Sequence, residues 1–288
     1  MTAAKVPIRN NSGIPGIFGI LNLTADSFSD GGAYSDAAAA LEHAAAMLDE
    51  GAAAIDIGAE STRPGASARD AADETAALLP VIRGLRAMRP DCVISVDTRK
   101  ASVAEAALDA GADIINDVSG FQFDPDMPRA VAAAGAGVII MHMRGTPETM
   151  QNPENLIYSD LTGEINAFFA DRLALAEKAG IAGDKIMLDP GIGFSKTPEQ
   201  NWELIRGIDA FRMHGLPLFY GISRKSFLKP LCGNSAPDRR DAASAGVLAF
   251  LAGKRADFVR VHSVGPAREA MRAYLHCADG PSKQQERD

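Results

Sequence analysis

Short apolar runs recur along this chain, and each is followed by a stretch in which apolar residues return at helical spacing. The runs fall at 17–23, 54–58, 93–96, 113–115, 138–142, 186–188, 217–220 and 258–261. They are mostly continuous rather than alternating, which predicts strands covered on both faces. The stretches 36–50, 70–88, 101–110, 126–134, 158–179, 198–214, 239–251 and 267–276 read as helices. Gly51, Gly111, Gly135 and Gly180 stand where a helix C-terminus favours glycine. One long loop is expected at 144–157. The strand–helix unit returns about every 34 residues, the tempo of a (β/α)8 TIM barrel, an α/β fold of about 250 residues. A doubly wound open sheet is the rival. No linker or low-complexity block divides the chain. The expectation is a single domain: a lead-in over 1–16, a barrel over 17–277 and a polar tail over 278–288.

Polar residues mark the C-terminal side of nearly every predicted strand: Asn22, Asp56, Asp97, Asn116, His142, Asp189, Lys225, and Arg260 with His262. Any one of them has an ordinary explanation. Asp97, Asn116, Asp117 and Asp189 are suited to capping a helix, and His142 to a satisfied place in the core. In a barrel, however, these ends converge on the face where barrel active sites lie. Asp97, Asp189, Asn116 and Lys225 together suit a flat heterocycle with donors and acceptors on its edge, because a carboxylate pairs with an N–C–NH2 edge as it does with arginine. Arg63, Arg260 and His262 form a second, basic group. The run 263–266 leads into a helix N-terminus, so an anion is expected there. Asn22 and the acids of the first loop could hold Mg2+, which takes few protein ligands and prefers phosphate oxygens. The segment 24–32 reads as a lid ending in Gly31–Gly32, with Phe28 placed to close over a ligand.

Bulk composition excludes more than it selects. The chain has 288 residues, 47% hydrophobic and 23% charged, with a formal charge of -8. That charge opposes a broad nucleic-acid surface, so an anionic ligand needs a local basic cluster. The three cysteines, Cys92, Cys232 and Cys277, are far apart and form no CxxC pair. Neither a disulfide framework nor a zinc site is expected, and a reducing cytoplasm fits. The first residues lack the apolar centre of a signal peptide, and no run is long enough to span a membrane. GIGFSKT at 191–197 has Ser195 where a P-loop needs glycine, and there is no HExxH, GxSxG or dinucleotide fingerprint.

Eight ordered motifs carry a family resemblance: GILNLTADSFSDGG (19–32), DIGAESTRPGA (56–66), SVDTRK (95–100), INDVSG (115–120), MHMRGTPETMQ (141–151), LDPGIGFSKT (188–197), SRKSFL (223–228) and VRVH (259–262). Over about 17–273 the chain resembles the dihydropteroate synthases of folate biosynthesis. The resemblance implies a (β/α)8 barrel, often dimeric, hence an expected homodimer. It also implies a transferase that joins 6-hydroxymethyl-7,8-dihydropterin pyrophosphate to p-aminobenzoate with Mg2+, a reaction that sulfonamides would block. Carried over by motif, Asp97, Asn116, Asp189, Lys225, Met143 and Phe194 would bind the pterin. Asn22, Arg63, Arg260 and His262 would bind the pyrophosphate, with Asn22 also the metal contact. Thr62, Arg63, Pro64, Phe28, Phe194, Lys225 and Ser226 would border p-aminobenzoate. Asp97, Lys225 and Arg63 would carry the catalysis. Ala25 stands where the family usually has proline, and Ser263 where it commonly has aspartate. The alternatives are a catalytically silent pterin-binding relative and a pterin-dependent methyltransferase.

Overall fold

A computed structural model describes residues 13–23, 33–63, 65–66, 68–233 and 236–279. Phe28, Ala25, Pro64 and the proposed lid at 24–32 lie outside them. Eight parallel strands alternate with eight helices: β1 (Gly16–Asn22), α1 (Ala33–Asp49), β2 (Ala54–Gly58), α2 (Ala71–Met88), β3 (Val93–Asp97), α3 (Ala101–Asp109), β4 (Ile114–Asp117), α4 (Met127–Ala134), β5 (Gly137–Met141), α5 (Leu161–Ala179), β6 (Ile186–Asp189), α6 (Pro198–Arg206), β7 (Phe219–Gly221), α7 (Asp241–Gly253), β8 (Phe258–Val261) and α8 (Val264–Asp279). The sheet order β6-β5-β4-β3-β2-β1-β8-β7 is consecutive once β1 is joined to β8. A parallel bridge between Leu188 and Leu218 closes β6 onto β7. The open-sheet alternative is thereby excluded.

The closure is thin for a local reason. Pro217 has no N–H to give the ladder, but its carbonyl accepts from the Leu188 amide at 2.9 Å. β7 is therefore only three residues long and starts later than the predicted run. The predicted helix at 198–214 also divides. α6 stops at Arg206, and after Gly207 the chain continues as a 3-10 helix, Ile208–His214. The loop after β5 contains a 3-10 turn, Pro153–Leu156. Local capping sets several helix starts. The Asp70 carboxylate accepts from Ala72 N at 2.8 Å at the head of α2, and Thr197 forms a capping box with Gln200 at the head of α6.

Strand periodicity sorts side chains into two sets. One set faces the helices: Ile55 and Ile57 from β2, Ile94 and Val96 from β3, Val138 and Ile140 from β5. The other faces the axis. Its lowest layer takes one residue from each strand: Phe18, Ala54, Val93, Ile114, Ile139, Met187, Phe219 and Phe258. Phe18 meets Phe219 edge-on at 5.0 Å and Phe258 at 5.6 Å. The barrel bottom is thus a packed apolar plug. Two residues further along the strands the same inward parity delivers Asp56, Ser95, Asn116, Asp189 and Arg260. This change from apolar to polar inside one barrel locates the site.

Candidate active site

Register aligns the mouth. Asn22 pairs with Gly58, Gly58 with Asp97 and Asp97 with Asn116, so these residues form a row across β1 to β4. A Cβ at Gly58 would lie 3.3 Å from the Asp97 Cβ, so glycine makes room for that carboxylate. Asp189 ends β6 beside Met141 of β5, and Arg260 of β8 lies beside Gly221 of β7.

Asp56 is the hub beneath this row. It is fully buried. Its carboxylate accepts from Ser95 Oγ, from Asn116 Nδ2 at 3.1 Å and from Arg260 Nε. The other end of the Arg260 guanidinium donates to Asp97 Oδ2 at 3.1 Å. One cation therefore serves two buried acids. Burial still pushes the Asp97 carboxyl above the usual range, and the negative charge of Asp56 adds to it, while Arg260 opposes both. The burial of two anions outweighs one shared guanidinium, so Asp97 holds its proton more readily than an ordinary aspartate.

Asp189 and Lys225 are the second centre. Asp189 accepts from Gly191 N at 2.7 Å. Burial raises its carboxyl to about 6 against the pull of Lys225, the Gly191 amide, Lys196 and Arg260. Lys225 Nζ donates to the Ile192 carbonyl and sits 4.6 Å from the centre of the Phe194 ring. Burial lowers its ammonium to about 8, with Asp189 opposing and Arg260 assisting. Phe194 joins Val118, Met141, Met143 and Met150 in an apolar cluster separate from the main core. The mouth thus offers Asp97, Asn116, Asp189 and Lys225 as polar groups against a soft wall containing Met143 and Phe194.

The basic residues are arranged in steps. Arg63 is exposed on the loop after β2, with Thr62 half-buried beside it. That loop is tied to the loop after β5 by Gly65 N to Pro147 O at 2.9 Å. His262 follows β8, and its Nδ1 lies 3.0 Å from Ser223 Oγ. Burial, then Arg260 and Arg224, push His262 down to about 3, and the charge of Arg63 contributes as well. In the free protein His262 is therefore neutral, and an arriving anion would reverse the sign of its surroundings. Ser226 is exposed at the head of a 3-10 turn, Ser226–Cys232. Ser263 donates to Asp241 Oδ2 at 2.8 Å and accepts from Arg224 at 3.2 Å. The carboxylate partner of Arg224 here is Asp241, not position 263.

Several supporting residues carry no site role in the sequence reading. Ser95 is one, Asp56 was only a polar strand end, and Glu60 is a third. Glu60 accepts from Arg99 Nε at 2.8 Å, from Arg69 N at 2.9 Å and from Lys100 Nζ. It thereby fastens the Thr62–Arg63 loop to the segment after Asp97. Lys196 is a fourth, buried behind Asp189. The available signal was parity: a polar residue at an inward position of an apolar strand, as in AIDIG and VISVD. A hollow of about 890 Å³ lies elsewhere, outside the barrel between α6, the 226–232 turn and α7. No strand end reaches it.

Among the described residues no group of three or more His, Cys, Asp or Glu could hold a metal, and no helix is long and apolar enough to cross a membrane. The pterin-binding enzyme family matches residues 18–262. A dihydropteroate synthase of Synechocystis is 43% identical over 263 residues, 91% of this chain and 89% of that protein. The structure of Yersinia pestis dihydropteroate synthase in a sulfonamide complex aligns with TM-score 0.88 at 39% identity, covering 97% of this chain and 99% of that one. The Xanthomonas albilineans dihydropteroate synthase with 4-aminobenzoic acid aligns with TM-score 0.85 at 36% identity over 93% and 94% of the two chains. With its eight-stranded barrel, its inward polar row and these relatives, the chain belongs to the dihydropteroate synthase family of pterin-binding transferases.

Proposed function

We propose that this chain condenses 6-hydroxymethyl-7,8-dihydropterin pyrophosphate with p-aminobenzoate, giving 7,8-dihydropteroate and pyrophosphate in folate biosynthesis. The observation that carries the reading is the ring of Asp97, Asn116, Asp189 and Lys225 against Met143 and Phe194. Asp189 as a carboxylate accepts two hydrogen bonds from the N–C–NH2 edge of the pterin. Lys225 donates to the heterocycle, and Asn116, held by Asp56, offers an amide. Met143 and Phe194 take the flat face. Thr62, Arg63, Phe194, Lys225 and Ser226 border the p-aminobenzoate, where a sulfonamide competes.

The step is a dissociative substitution. The bond between the pterin methylene carbon and the pyrophosphate oxygen breaks, and its electron pair leaves with pyrophosphate. Arg63, Arg260 and His262 stabilise that developing charge. Asp97 faces the cation spread into the pterin ring. The arylamine nitrogen then attacks the methylene carbon, a C–N bond forms and the amine releases one proton. Mg2+ fits the donor set as a phosphate-bound ion: Asn22 supplies one amide oxygen at the mouth, and this ion needs few protein ligands. When bound it would neutralise pyrophosphate charge.

We place the enzyme in the cytoplasm, a reading supported by three unpaired cysteines. We also propose a homodimer. The apolar side chains of Leu231 and Phe250 at the hollow beside α7 favour a second copy there. Turnover tests the function. Pyrophosphate release requiring both substrates and Mg2+ is the expected result. Pterin binding without release would mark a silent relative, and Mg2+-independent transfer of a folate methyl group would mark a methyltransferase.

A further inference from the structure

Lys196 poses a physical problem. It is 3% exposed, and among the described residues no carboxylate lies within ion-pair distance of it. Its Nζ instead lies among neutral groups: it donates to the Phe194 carbonyl at 2.9 Å and to the His142 carbonyl at 3.5 Å, and it lies 3.0 Å from His142 Nδ1. In the tautomer that leaves Nδ1 without a proton, these three groups match the three N–H bonds of an ammonium. Burial of a lysine is unfavourable by several kcal/mol unless something compensates it. No part of the reaction described above uses this group.

Its position suggests what it does. Lys196 bridges the end of β5 to the loop after β6. That loop carries Asp189, Gly191 and Phe194. A Cβ at Gly191 would sit 3.3 Å from Lys196 Nζ and 2.0 Å from the His142 carbonyl, so the two segments are in direct contact. Phe194 is held from both sides, by Lys196 at its carbonyl and by Lys225 at its ring. His142 is buried among Phe168 and Tyr158, and burial, Lys196 and Arg144 keep its imidazole neutral.

We propose that Lys196 is a positioning residue of the pterin site, which locks the Phe194 backbone to the end of β5 and, in its protonated form, places a positive charge behind Asp189. This rests on the pterin assignment above. The charged groups facing Asp189 are Lys225 from the loop after β7, Lys196 from its own loop and Arg260 from β8. Those facing Lys196 are Asp189, Lys225 and Arg144. Burial holds the ammonium of Lys196 well below its ordinary value, Asp189 opposes it, and Lys225 and Arg144 lower it further. The three surrounding groups stabilise the protonated form.

The experiment is binding of 6-hydroxymethylpterin between pH 5 and 9, read by fluorescence, with unfolding measured in parallel. In the wild-type chain, binding falls with acidification around Asp189's value of about 6. In Lys196→Gln the loss of one neighbouring charge moves that acid limb up by about 1 pH unit and weakens binding at pH 6 about fivefold. Lys196→Arg restores the acid limb but not the full affinity, because the larger head displaces Phe194. A folded Lys196→Gln whose pH profile overlays the wild type overturns the proposal. So does failure of both variants to fold, which would make Lys196 a folding residue only. Asp189→Asn separates the levels. If it binds the pterin as the wild type does, the pterin assignment itself falls. If it loses binding while Lys196→Gln keeps the wild-type profile, only the inference about Lys196 falls.

Discussion

Arg260 shows how a single residue changes meaning once its neighbours are known. By its motif, VRVH, it is proposed as a pyrophosphate ligand. In the structure its guanidinium also holds Asp56 and Asp97. Arg260→Met therefore leaves two buried carboxylates without their cation, and removing one partner of a buried ion pair costs about 3–5 kcal/mol. Chemical denaturation is expected to register a loss of that order, together with weaker binding of free pterin as well as its pyrophosphate. Arg63, exposed on its loop, is the cleaner probe of the leaving group: Arg63→Ala lowers turnover of the ester while binding of free pterin and stability stay near wild type. Protonation gives a second expectation. If Asp189 and Lys225 make the proposed pterin contacts, binding needs Asp189 ionised and Lys225 protonated. Affinity is expected to fall as pH drops through about 6 and again as it rises through about 8. A titration of affinity that is flat from pH 5 to 9 would remove both groups from the recognition edge.

At the scale of elements, loops are pinned to strand ends by buried ionic and backbone contacts. Glu60 is the anchor for the loop after β2. Burial alone would raise its carboxyl, but its bonds to Lys100 and the Arg69 amide and the charge of Arg99 together hold it below its ordinary value. A group lowered on folding contributes stability above its unfolded value, near 4.5, and loses that contribution as pH falls through its folded value. Glu60→Gln is expected to lower stability at pH 7 and to narrow that gap under acid, measurable by denaturation at pH 7 and pH 3. The turn after β6 depends on a glycine in the same way. Gly191 has φ +73, and an added Cβ would fall 2.0 Å from a backbone oxygen. Gly191→Ala should destabilise by more than about 2 kcal/mol and reduce pterin affinity, because the displaced turn carries the amide that binds Asp189.

The whole molecule divides its labour along the barrel axis. The lower plug of Phe18, Phe219 and Phe258 contributes packing, and the mouth carries the chemistry. Phe18→Ala should lower stability by about 3–5 kcal/mol, with kcat/KM nearly unchanged at temperatures where the variant stays folded. A matching loss of kcat/KM would show that the bottom is coupled to the site. At this scale the repeat of apolar run and helical stretch was legible in the chain, because each strand is covered on both faces and each helix reports its own period. The polar strand ends were legible too. Asn22, Asp97, Asn116 and Asp189 stand where the apolar run stops, and the structure places them at the mouth.

Other features could not be read locally. Asp56 and Ser95 sit inside apolar strands, where a polar residue has several ordinary explanations, and their pairing depends on which way the strand faces. Arg260 and Asp56 are 204 positions apart, and only closure of the barrel brings β8 alongside β1 and places its side chain over β2. The short β7 follows from Pro217, but its single bridge to β6 depends on the register of the whole sheet. Lys196 lies in a motif that reads as an imperfect phosphate loop, and its partner His142 comes from the end of β5, 54 positions away. The sequence by itself determined the order of elements and the residue types at the strand ends, because these depend on periodicity and covalent neighbours. Tertiary structure alone decided which acid shares which base, which carboxyl is raised and which lysine is buried, because charge and burial are set by neighbours that closure brings together from across the chain.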